Sequence, residues 1–77
     1  MPSTLTAGQV LDHYFLETRA KLLEIAANLD RFDRAPDAAA LREDPRLVFV
    51  QNALKILSEP APVANRAEQI QRLYSLP

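Results

Sequence analysis

Between Val10 and Arg34 the chain runs for 25 residues without a Gly or a Pro, and no other stretch constrains the fold as strongly. Strands are usually 3–10 residues long, so an uninterrupted run of this length predicts a helix. Its apolar residues agree. Leu11, Phe15, Thr18, Leu22, Ile25, Leu29 and Phe32 follow one another at alternating spacings of four and three, which puts them on one side of a helix.

The start of this helix is written in Leu5-Thr6-Ala7-Gly8-Gln9-Val10. The Thr6 hydroxyl is placed to accept from the Gln9 backbone N–H while the Gln9 side chain reaches back, with Leu5 and Val10 as a hydrophobic staple. At the other end Pro36 disfavours helical geometry in the residue before it. A helix over 7–32 would be about 39 Å long at 1.5 Å per residue.

At 100° per residue this helix carries a second apolar row, Leu16, Ala20, Leu23 and Ala27, roughly 150° around the axis from the first. The alternation of Leu with Ala suits close approach of another helix, because the Ala positions leave holes for its side chains. On one flank between the rows lie Asp12, Arg19 and Asp30. The other flank is a wide polar strip of His13, Glu17, Lys21, Glu24, Asn28 and Arg31, the expected solvent face. Glu17 and Lys21 form an i,i+4 pair in the favourable order.

Prolines punctuate the remainder. A helical turn is expected over 37–42 from Ala38, Ala39, Ala40 and Leu41. Asp44-Pro45 then supplies an N-cap and a Pro at the first helical position. The helix that follows, 45–58, has Leu47, Val50, Leu54 and Leu57 on one row and Phe49, Ala53 and Ile56 on the next, with Val48 isolated among polar residues. Pro60 and Pro62 stiffen a linker. A last helix over 63–75 has a narrow apolar face of Val63, Ala67, Ile70, Leu73 and Tyr74. Its start is written twice, at Pro62 and at the capping-box spacing of Asn65 and Glu68.

The expected fold is all-α: a single domain built as a small three-helix bundle with one long and two shorter helices. Such a chain is near the size at which one core is only marginally sufficient. Since the first helix would keep a second stripe to bury, a homodimer is expected in which first helices or second helices pair across a two-fold axis, with Leu16, Ala20, Leu23 and Ala27 as the interface row.

Composition removes several functions. The absence of Cys excludes disulfides, thiolate chemistry and Cys-based zinc sites. The nine Lys and Arg and ten Asp and Glu are interspersed, for a net charge of −1, which forms no electrostatic footprint for nucleic acid or an anionic membrane. Neither a signal peptide nor a long apolar span is visible, which predicts a soluble, cytoplasmic protein. No Ser-His-Asp set, Gly-rich phosphate loop or pair of buried carboxylates can be assembled, so no enzyme and no cofactor are expected.

Three constellations remain. His13, the sole histidine, stands one helical turn before Glu17, a spacing that can chelate a metal and would give four ligands in a suitable dimer. Carboxylate-bridged metal bundles instead carry Glu-x-x-His on paired helices, which is missing, so an exposed polar pair explains the same residues. Arg19, flanked by Phe15, Leu16, Leu22, Leu23 and Ala26, needs a carboxylate or a snorkelling route to water if another helix covers it. Asp12, Asp30, Glu43 or Asp44 could supply one, and a structural ion pair is expected over anion binding. Finally, the last two helices could be read as a helix-turn-helix presenting Arg66, Gln69 and Arg72, but no basic cluster supports them and Glu68 sits among them. The reading that follows is a non-enzymatic, dimerising protein–protein interaction module, with a small metal-binding protein using His13 and Glu17 as the alternative.

Overall fold

Thr6 does what its spacing to Gln9 predicts. In the computed structural model, which describes residues 4–73, its hydroxyl accepts from the Gln9 N–H at 3.2 Å while the Thr6 N–H donates to Gln9 Oε1 at 2.9 Å. This complete capping box opens α1, Ala7–Arg34. The helix is 28 residues long, or about 42 Å. It ends two residues later than the pattern suggests. Ala35, immediately before Pro36, is extended at φ −68° and ψ 139°, so the steric rule acts on that residue alone and the helix continues up to it. Arg31 and Arg34 occupy the last turn, where positive charge suits the C-terminal end of the helix dipole.

The chain divides into two compact units, one reaching Pro36 and the other beginning at Asp37. The second opens with a 3₁₀ turn, Ala38–Leu41, within the stretch 37–42 where a helical turn is expected. Its tightness follows from its ends: Ala40 N–H donates to Asp37 C=O at 3.0 Å, and Asp44 N–H donates to Leu41 C=O at 3.1 Å. Ala38 is the one buried residue among those described.

Helix α2, Pro45–Ser58, has the bounds its sequence signals predict. The Asp44 carboxylate accepts from Arg46 N–H at 2.9 Å, and the Arg46 guanidinium folds back onto both carboxylate oxygens at 3.0 and 2.9 Å. That fork holds the Asp44 carboxyl well below its ordinary value, at about 2. The cap was legible in the sequence, but its second hold through Arg46 was not. Leu47, Phe49, Val50, Ala53, Leu54 and Ile56 are half-buried, while Leu57 and Val48 are exposed.

Helix α3, Arg66–Leu73, packs against α2 and starts three residues later than the expected 63, while the expected end at 75 lies outside the described residues. The chain from Val63 to Asn65 is closed by a bond from Asn65 N–H to Val63 C=O at 2.8 Å, so the helix begins after Asn65 and not at Val63. Asn65 does sit before the first turn, but its side chain accepts from Gln69 Nε2 at 2.7 Å, and Glu68 turns to Arg72 at 2.7 Å. The Asn65–Glu68 capping box is therefore replaced by two i,i+4 side-chain bonds. On the expected apolar face Ile70 is half-buried, whereas Val63, Ala67 and Leu73 are exposed; Tyr74 lies outside the described residues. The described residues contain three α-helices and no strand, and no helix among them is long and apolar enough to cross a membrane.

Candidate interaction face

The second apolar row of α1 is open to solvent. Leu16 is 76% exposed and Leu23 is 53% exposed, and Ala20 beside them is exposed as well. Ala27 is half-buried. It lines a shallow concavity with Leu23, Glu24, Asn28 and Arg31, so the Leu–Ala alternation produces a hole beside a projecting side chain. No residue of α1 is fully buried. The first row is graded along the helix: Ile25, Leu29 and Phe32 are half-buried, while Leu11, Phe15 and Leu22 are exposed.

Arg19 stands between these rows, with Phe15 and Leu22 on one side and Leu16 and Leu23 on the other. Its side chain, like those of Asp12 and Asp30, takes part in no hydrogen bond or ion pair of the described residues. Geometry within the helix explains this. Asp12 is seven positions before Arg19 and Asp30 eleven after it, rises of about 10 and 16 Å. Neither carboxylate can reach the guanidinium along the same helix, although all three side chains point to the same flank.

The polar strip is internally paired, which marks it as a solvated surface. Lys21 Nζ donates to Glu17 Oε1 at 2.8 Å, and Arg31 donates to Asn28 Oδ1 at 2.6 Å. The Lys21 bond pulls the Glu17 carboxyl below its ordinary value and raises the Lys21 ammonium in return. His13 and Tyr14 meet edge to face, with ring centroids 4.6 Å apart. Glu17 is thus engaged by Lys21, and no group of three or more His, Cys, Asp or Glu side chains is placed to hold a metal ion among the described residues.

In α3 the residues considered for nucleic-acid contact are drawn into local bonds. Arg72 pairs with Glu68, Gln69 with Asn65, and Arg66 donates to the Glu59 carbonyl at 3.3 Å. Compared with known protein families, with characterised proteins and with solved structures, the chain matches none.

Proposed function

We propose that this chain is a non-enzymatic, cytoplasmic helical protein that forms a homodimer and acts as a protein–protein interaction module through α1. The observation that carries the reading is the absence of any buried residue along the 28 residues of α1, on a helix whose Leu16–Ala20–Leu23–Ala27 row is patterned for burial. Helices in proteins draw most of their stability from packing an apolar face rather than from intrinsic propensity. A second copy provides that packing with the same row on both sides, as a two-fold interface requires. Neither a nucleic acid nor a membrane belongs to this reading, because the arginines of α3 are engaged locally and both charge signs are interspersed.

Sedimentation velocity over a wide concentration range, on the wild type and on Leu23→Glu, tests the proposal. A concentration-dependent dimer that Leu23→Glu dissociates supports it. A wild type that stays monomeric at every concentration refutes it.

A further inference from the structure

We infer that two α1 helices pair antiparallel, in the register that sets Arg19 of each copy against Asp30 of the other. The inference rests on the self-association proposed above and specifies its geometry.

The argument begins with the charges on the apolar flank. At 100° per residue Arg19 and Asp30 lie within about 20° of one another around the axis, with Leu23 and Leu16 just beyond them. A purely apolar partner covering this flank would leave a guanidinium and a carboxylate without counter-charges. The partner that fits this flank best offers an anion opposite Arg19 and a cation opposite Asp30, about 16 Å apart. An inverted copy of α1 offers both.

Orientation follows. A parallel pair in register would align Arg19 with Arg19, Asp12 with Asp12 and Asp30 with Asp30, so every charge on the flank would meet its like. In the antiparallel pair with its two-fold axis between Glu24 and Ile25, Arg19 and Asp30 meet twice. Leu23 then lies beside its own copy across the axis and next to the concavity at Ala27. Ala20 and Ala27 come to similar levels, which allows the backbones to approach. The overlap spans residues 15–34, about 30 Å of helix, and leaves Asp12 beyond the partner helix in solvent.

The competing antiparallel register has its axis between Phe15 and Leu16 and pairs Arg19 with Asp12. It sets Leu23 at the level of Gly8 and carries Ala27 past the first residue of the partner helix, so the concavity stays empty. Both the charge pattern and the Leu–Ala pattern select the Asp30 register. In it the two C-terminal ends of α1 lie about 28 Å apart along the pair and point in opposite directions.

Because the chain has no Cys, His13→Cys accepts a single nitroxide label on the polar strip, away from the paired flank. Dipolar electron resonance then measures the distance between the two labels in the dimer. The Asp30 register sets them about 35 Å apart along the axis, the Asp12 register about 8 Å and the parallel pair at the same level. A distance of roughly 35 Å or more is expected, and one below about 20 Å overturns the inference. Charge reversal is the second arm: Arg19→Asp weakens the dimer at least about tenfold by setting like charges together, and adding Asp30→Arg restores it. Restoration by Asp12→Arg instead of Asp30→Arg overturns the register while leaving self-association intact. A wild type that remains monomeric in sedimentation overturns the self-association on which the inference depends.

Discussion

Truncation of Leu23 gives a quantitative test of the α1 face. Leu23 is 53% exposed, so about half of the roughly 1.5–3 kcal/mol gained by fully burying a leucine side chain is still available to a partner. A two-fold dimer uses the residue twice. Leu23→Ala should therefore cost about 1.5–3 kcal/mol of association free energy, or roughly a 10- to 150-fold rise in the dimer dissociation constant. Alanine is the better helix former, so the substitution does not weaken α1 itself. Sedimentation equilibrium gives the constant, and circular dichroism confirms unchanged helicity. Leu11→Ala is the matched control. Leu11 is 65% exposed, more than Leu23, but it belongs to the other row and falls beyond the overlap, so its loss should change the constant by less than about threefold. If Leu23→Ala leaves association unchanged, or Leu11→Ala weakens it as much, the assignment of the interface to the Leu16–Ala27 row is wrong.

Other outcomes follow from single contacts. Thr6→Ala removes the hydroxyl acceptor of the capping box and should destabilise the first turn of α1 by about 1 kcal/mol, read as faster amide exchange at Gln9. Acidification should loosen the start of α2, because the Arg46 fork lowers the Asp44 pKa to about 2 from its ordinary 3.8. A depressed folded-state pKa contributes stability that is complete above the ordinary value and lost as pH falls through about 2. Protection of the amides near Arg46, taken relative to intrinsic exchange, should therefore fall between about pH 4 and 2, and Asp44→Asn should abolish that dependence while still capping. Zinc or manganese should leave the melting temperature unchanged, since Glu17 is held by Lys21; a clear rise would assign His13 and Glu17 to a metal. Gly8→Ala should stabilise α1 by up to about 1 kcal/mol, because an added Cβ would meet only Thr6 Oγ1 at 3.9 Å.

How far the fold could be read depended on whether the signal was local. Thr6–Gln9 and Asp44–Pro45 act within one turn of chain, and both starts stand where the residue types put them. The end of α1 was harder, since Pro36 forbids helix only at Ala35 and says nothing about Phe32 to Arg34. The beginning of α3 depended on competition between Pro62 and Asn65, decided by the turn that Asn65 N–H closes on Val63. The candidate face was legible as two rows from the 100° step alone. The proposed occupant of that face was not, because a row of Leu and Ala specifies an apolar surface and not what lies against it.

Among the described residues no backbone adopts a positive φ and no peptide bond is cis. The joints between helices are therefore made from conformations open to ordinary L-residues, with Pro36, Pro45, Pro60 and Pro62 restricting the chain and no glycine releasing it. Such a backbone makes the molecule unusually transparent to saturation mutagenesis. Away from proline substitutions, a deleterious change at a described position reports on the side chain's surroundings and not on a special backbone geometry, so a complete substitution map would trace the surfaces this chain uses in the cell.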